Sequence, residues 1–344
     1  ICNAQSVNDS ISVTKIETVQ LFRVSTKDII PVQTLQGATL EKLNSYSVAD
    51  ALRYFSGVQL KDYGGVGGLK TIDVRSMGSQ HVGVFYDGIQ LGNAQNGVVD
   101  LGKYSLDDLE VISLYNGQKS SYLQSAKDYA SSSSIYLQSK KPVFKEGKKT
   151  NLTAKFKTGT IQLVNPSFRI EHKLSENVNA NLSAEYIKSN GQYKFRYSRH
   201  NADGSVAYDT TAIRKDGQIE AKRIELGING STSKASWNIK GYGYESDRGI
   251  PGAIVRNHFG ARGQTLVDKN YFVQGSYQIR FGKLESKLNA KWAYDQTKYT
   301  DTVTTIKVRN QYLQKELYVS WSTVYRYNKR FSTSFSADYQ YNTL

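Results

Sequence analysis

From residue 143 onward the chain alternates apolar and polar side chains with a period of two, over runs too long for an ordinary globular sheet. Val178, Ala180, Leu182, Ala184 and Tyr186 alternate with Asn179, Asn181, Ser183 and Glu185. Phe335, Ala337, Tyr339 and Tyr341 alternate in the same way with Ser334, Ser336, Asp338 and Gln340. Successive side chains of a strand point to opposite faces, so each run has one apolar and one polar face. Two architectures accept such strands. In a soluble sandwich the apolar face meets a core and the polar face meets water; in a membrane barrel the apolar face meets lipid and the polar face lines the lumen.

Strand and connection lengths favour the barrel. Nine candidate strands span 150–159, 161–174, 177–197, 217–230, 234–247, 266–281, 284–300, 310–327 and 330–342. Most exceed the ~5–6 residues usual in globular sheets and reach the ~9–11 that cross a bilayer at a tilt. Tight connections (175–176, 231–233, 282–283, 328–329) alternate with long ones (190–216, 247–265, 300–309), as in outer-membrane barrels. A mean hydropathy of −0.52 looks soluble, but a barrel presents only alternate residues to lipid and needs no long apolar run. No stretch approaches the ~18 uncharged apolar residues of a spanning helix. The 25 Tyr, against 4 Pro and 1 Met, suit strands with amphipathic aromatics at membrane interfaces.

Residues 35–142 have a different character. Leu40 and Leu43 fit a short helix, and Ser47-Val48-Ala49-Asp50 has the form of a capping box opening a second, through Ala51, Leu52, Tyr54 and Phe55 to Gly57. Strands are predicted at 59–61, 71–75, 82–86, 109–115 and 135–139. Asp87-Gly88 is a hairpin signal and Asn116-Gly117 a turn signal. Small helices with a few strands make an α+β unit, which Lys140-Lys141-Pro142 closes. Residues 1–34 form an N-terminal extension in which Ile16, Glu17, Thr18, Val19, Gln20 and Leu21 are the best extended segment, able to add a strand to a partner's sheet edge. The sole methionine is Met77, so Ile1 is not an initiator, and the chain reads as a piece of a longer protein. Cys2 has no cysteine partner.

The net charge of +15 comes from residues scattered singly, without a basic run or a nucleic-acid reader motif. Nucleic acid is therefore not expected; anionic lipid head groups or an anionic ligand can use the same charge. His81, His172, His200 and His258 are isolated, and residues 64–68 lack the G-K-S/T ending of a phosphate loop, so neither zinc chemistry nor nucleotide binding is expected. Asp203, Asp209 and Asp216 share a long loop and are weak calcium candidates, although their spacing fails the EF-hand pattern. No nucleophile or acid-base pair is placed for catalysis, and neither an enzyme nor a cofactor is expected.

The segment 39–142 resembles the plug domain of TonB-dependent outer-membrane receptors. Ser47-Val48-Ala49-Asp50-Ala51-Leu52 with Gly57-Val58, the strand at 71–76 followed by 82–88, and the closing strands to Lys141 carry the likeness. Gly249-Ile250-Pro251-Gly252 is similar to a barrel-loop motif of the same family. Within it, the order of Gly64 to Leu69, Ser79-Gln80-His81-Val82 and Tyr86-Asp87-Gly88-Ile89-Gln90-Leu91 resembles cobalamin receptors. The chain departs from the family at Asn116-Gly117-Gln118, where an arginine-glycine-proline turn is usual.

The fold implied is a membrane β-barrel of about 22 strands around an N-terminal α+β plug, with about nine strands in residues 143–344. The function implied is energised import across the bacterial outer membrane of a scarce polar ligand, cobalamin or a related corrinoid. A siderophore, haem or glycan receptor of the same family, a passive porin and a β-rich surface binding module are the alternatives. Ligand contact is assigned to two loop tips: Tyr63, Gly64, Gly65, Val66, Gly67, Gly68, Leu69 and Lys70, and Gly92, Asn93, Ala94, Gln95, Asn96 and Gly97. Glycine-rich backbone allows close approach, and the Asn and Gln amides suit an amide-bearing ligand. The partners implied are outer-membrane lipid, a ligand-capturing surface lipoprotein and a TonB-type energy-coupling protein, which would grip the Ile16 to Leu21 segment.

Overall fold

The computed structural model describes residues 32–117, 119, 121–252, 263–302, 307–328 and 330–344. The N-terminal part is a five-stranded sheet. Its strands are β1 (Val32–Gln36), β4 (Val82–Tyr86), β5 (Ile89–Gln90), β6 (Leu109–Tyr115) and β7 (Ser133–Ser139), in the order β1-β6-β7-β4-β5. Only β4 and β7 run parallel. A separate hairpin of β2 (Val58–Asp62) and β3 (Lys70–Val74) lies beside α1 (Gly37–Lys42) and α2 (Val48–Leu52). The expected cap is present: the Ser47 hydroxyl accepts from the Asp50 amide and donates to the Asp50 carboxylate. Asp87 and Gly88, both at positive φ, make the predicted hairpin turn between β4 and β5. The core is apolar, built on Val48, Leu52, Leu101, Ile112, Ile135 and Leu137.

The second part is one antiparallel nine-stranded sheet. In chain order its strands are β8 (Thr150–Gly159), β9 (Leu163–Ser175), β10 (Val178–Ser189), then β13 (Ile219–Ser231), β14 (Ala235–Gly249), β15 (Gln264–Phe281), β16 (Leu284–Asp301), β17 (Val308–Arg326) and β18 (Ser332–Thr343). Between β10 and β13 the chain makes a projecting ribbon of β11 (Tyr193–His200) and β12 (Val206–Arg214). The single strand expected at 177–197 is therefore two. Ser189 Oγ and Asn190 Oδ1 accept from the amides of Gly191 and Gln192, and Gly191 takes a positive φ against the backbone of Gly217, which breaks the ladder.

The two faces of this sheet identify its surroundings. Along β13, Arg223 and Glu225 are 5% and 3% exposed, whereas Ile224, Leu226 and Ile228 between and beyond them are 47%, 52% and 40% exposed. The same inversion recurs along β16, where Asn289 and Lys291 are buried and Leu288 and Trp292 exposed, and along β17 with Glu316 and Ser320 against Leu317 and Trp321. A water-soluble sheet would bury the apolar set. Polar side chains turned onto an enclosed plug, with leucines and tryptophans outward, fit a lipid-facing barrel wall. Among the described residues no helix is long and apolar enough to cross a membrane.

Candidate functional site

Both loop tips reach the end of the wall that carries the long connections. In the first, the Asp62 carboxylate accepts from the amides of Gly64 and Gly65 at 3.1 and 2.8 Å and fixes the turn. Gly64 lies against Pro251, and Gly67 against Gln218 and Ile219 at the head of β13. In the second, Asn93 Oδ1 accepts from Gln95 N at 2.9 Å, Asn96 Oδ1 from Val98 N at 3.0 Å, and the Gly97 amide donates to Asn93 O at 2.8 Å. The wall holds this loop through Gln314, whose Oε1 accepts from the Ala94 amide at 2.8 Å.

Between the second tip and the β14 to β17 wall lies a cavity of about 270 Å³. Leu69, Gly92, Asn93, Gln95 and Asn96 are the tip residues that line it. The others are placed differently. Tyr63 is exposed, Val66 packs on the plug core, and Gly64 and Gly67 abut the wall. Gly65 has open space around it, Gly68 lies close against the Gly64 backbone, and Gly97 takes a positive φ. Lys70 turns into the plug, where Nζ is 2.7 Å from Asp50 and 3.9 Å from Asp62. Its backbone amide donates to Asp100.

The wall, and the plug segment at Lys103 and Tyr104, supply polar groups that reading the loops alone did not single out. Arg248 donates to Asp100 at 2.9 Å and to Asp268, yet its buried Nε has no partner among the described residues. Lys103 bonds Asn270 at 2.9 Å, and Lys291 bonds the Gln90 carbonyl at 2.7 Å and Glu316 at 2.9 Å. Gln314 keeps a buried, unbonded Nε2. Burial, reinforced by Asp295 and Asp100, pushes the Tyr104 phenol well above its usual range, so it remains a protonated donor. The signal for Arg248, Lys291 and Gln314 was their polar identity at lumen-facing positions of alternating strands. The cavity thus offers paired charges and side-chain amides beside the apolar Phe272 and Leu91, and Arg248 and Gln314, each with an N–H left unbonded among the described residues, line it. Such a set binds and orients a polar ligand.

The three calcium candidates do not converge. Asp203 accepts from Ser205 in the ribbon turn, Asp209 pairs with Arg196 across β11 and β12, and Asp216 lies at the ribbon's root. Among the described residues no group of three or more His, Cys, Asp or Glu side chains is arranged to hold a metal ion. The segment from Ile16 to Leu21 lies outside the described residues.

Residues 25–127 match the family model described as the TonB-dependent Receptor Plug Domain. With the nine-stranded sheet curved around that domain, the chain has a fold similar to that of TonB-dependent receptors. It is 27% identical over 115 residues to the "Vitamin B12 transporter BtuB" of Photobacterium profundum, covering 33% of this chain and 19% of that protein. It is 29% identical over 115 residues to the BtuB of Vibrio vulnificus, covering 32% and 18%. Two solved structures share the fold: "Copper transporter OprC" (TM-score 0.67, 12% identity, 90% of this chain and 46% of that one) and the siderophore receptor PirA from Acinetobacter baumannii (0.62, 15%, 90% and 47%). The chain therefore spans about half the length of these structures. The proteins it resembles are transporters and receptors rather than enzymes.

Proposed function

We propose that the chain is the plug and part of the barrel wall of a receptor that imports a corrinoid, cobalamin or a close relative, across the outer membrane. The observation that carries this reading is the cavity beneath the second tip. Asn93, Gln95 and Asn96 border it, and Arg248 and Gln314, which line it, each keep an N–H unbonded among the described residues that a side-chain shift would turn to a ligand. A ligand edged with primary amides can accept from those donors and give its own N–H groups to the tip carbonyls. The similarity of the plug region to two vitamin B12 transporters supports the same ligand. Coupling runs through the Ile16 to Leu21 segment, gripped by a TonB-type protein that pulls on the plug.

Titration of the purified full-length receptor with cyanocobalamin tests the ligand: saturable binding at or below micromolar concentration is expected, and no binding there removes the assignment. Deleting residues 16–21 is expected to abolish uptake and spare binding. Normal uptake by that variant would place the coupling segment elsewhere.

A further inference from the structure

A second cavity, of about 290 Å³, lies between the plug and the β8 to β13 wall. Lys140, Lys141 and Val143 border it. They carry the chain out of the plug towards the start of β8, which faces His172 near the tight-turn end of the wall. Seven carboxylates line it against five cations, most of them paired: Lys155 bonds Asp107 at 2.8 Å, Lys140 bonds Glu41 at 2.8 Å, Arg169 bonds Asp108, and Arg223 bonds Glu185. Burial alone would raise Asp107, but Lys157, Lys155 and the Ser167 hydroxyl outweigh it and hold the carboxyl below the usual range, so the pairing is ionic. An anionic group would meet an excess of carboxylates there. What is left over is a hydrogen-bonding group: Arg223, 5% exposed, has a buried Nη2 with no partner among the described residues.

The partition between the two cavities is built from few residues. Arg223 Nε and Tyr242 Oη both donate to the Lys103 carbonyl, at 2.8 and 2.7 Å, while Lys103 and Tyr104 line the outer cavity. Tyr104 stacks on Tyr242 at 5.4 Å, and Tyr242 on Phe272 at 4.7 Å. Moving the plug segment at Lys103 and Tyr104 would open this stack and release Arg223 Nε as well. Arg223 would then present a fuller fork of donors as the way between the cavities opens.

We infer that this cavity is an inner station that receives an amide side arm of the imported ligand once the Tyr104 to Tyr242 partition parts. The inference rests on the corrinoid reading above. An amide fits because it accepts from Arg223 and donates to the neighbouring carboxylates, whereas an anion would meet their excess charge. Like the outer cavity, which takes an amide-bearing edge of the ligand, it has room for one such arm and not for a whole corrinoid.

The test uses the full-length receptor in outer membranes with cyanocobalamin as probe and two variants. Arg223→Lys keeps the charge opposite Glu185 and removes the fork. Thr153→Trp fills the cavity from an exposed wall position whose side chain lines it. Both are expected to bind the probe within twofold of wild type and to import it at least fivefold more slowly. Wild-type import by both variants overturns the inner station and leaves the ligand reading intact. A tenfold loss of binding in both also overturns it, by placing these residues in the outer site. If the wild-type receptor does not bind cyanocobalamin, the corrinoid reading falls and takes this inference with it.

Discussion

Asp87 ties the plug's β4–β5 hairpin to the wall, and replacing it with Asn isolates that tie. Its carboxylate accepts from Ser139 N at 2.8 Å and Ser139 Oγ at 2.5 Å, and pairs with Lys240 Nζ at 2.9 Å. Burial alone would raise its pKa, but Lys240 and the Ser139 bonds outweigh it and hold the group below the usual carboxylate range. Asn keeps the volume and tolerates the positive φ of this turn, so the backbone is not perturbed. Removing one member of a buried pair costs about 3–5 kcal/mol. Lys240 retains Glu225 at 3.5 Å and the Tyr86 ring at 3.7 Å, and the Asn carbonyl still accepts from Ser139, which brings the expected cost to about 2 kcal/mol. At ~1.4 kcal/mol per tenfold, that is roughly a 30-fold shift in the opening equilibrium. Hydrogen exchange reads it at two amides, Asp87 N bonded to Leu137 O and Ser139 N bonded to Asp87. Both should exchange about 30-fold faster in D87N, while the β15 and β16 amides stay unchanged. Because the folded pKa is lowered, the tie is fully present above the unfolded value of ~3.9 and is lost as pH falls through the folded one, so the two proteins should converge in acid. Exchange within threefold of wild type at neutral pH would show that the ion pair does not hold the plug.

Leu226→Lys places a charge on the exposed apolar face of β13 and is expected to destabilise the full-length receptor in bilayers by about 2–4 kcal/mol if that face sits near mid-membrane; an unchanged unfolding midpoint would put the face outside lipid. Gly68→Ala drives a Cβ into the backbone of Gly64 and should reshape the first tip, lowering cyanocobalamin affinity at least tenfold; wild-type affinity would remove that tip from the site. Gln314→Ala releases the Ala94 amide and deletes a spare donor, so a fivefold to tenfold loss of binding is expected by titration, and no loss would exclude the second tip's wall contact.

Period-two patterning made most of the wall legible, because a strand that must separate lipid from a polar lumen has to alternate along its length. Ile224, Leu226 and Ile228 against Arg223 and Glu225 show why. The break at Gly191 was only half legible: a long connection was drawn from residue 190, yet the strand was carried on to 197, although the apolar positions shift from Ala184 and Tyr186 to Tyr193 and Phe195 across Asn190-Gly191. Its tertiary cause, a close approach to Gly217, was not legible. β1 was also missed as a plug strand. Val32 to Gln36 straddles the boundary drawn at residue 34, and its partner β6 lies some 80 residues away, with Val32 opposite Tyr115. The glycine tips were found where they were sought, but which side chains enter the cavity depends on tertiary pairing. Lys70 reads as a loop-tip cation until Asp50 is seen to hold it inside the plug.

The plug is held together by one kind of interaction and held in place by others. Its own core is aliphatic, from Val48 and Leu52 to Ile135 and Leu137, and opening that core exposes apolar surface. Its apolar contact with the wall runs through Leu163, Ile187, Ile219, Ala221, Tyr244, Ala293 and the Tyr242 to Phe272 stack. Elsewhere the contact is made of ion pairs and hydrogen bonds: Asp87 to Lys240, Asp107 to Lys155, Asp108 to Arg169, and the Asp338 carboxylate accepting from the amides of Ala126 and Lys127. Polar groups that part in a wetted lumen regain water in exchange, so separating plug from wall costs far less than unfolding the plug. A domain built this way can shift against the wall as a unit and keep its shape.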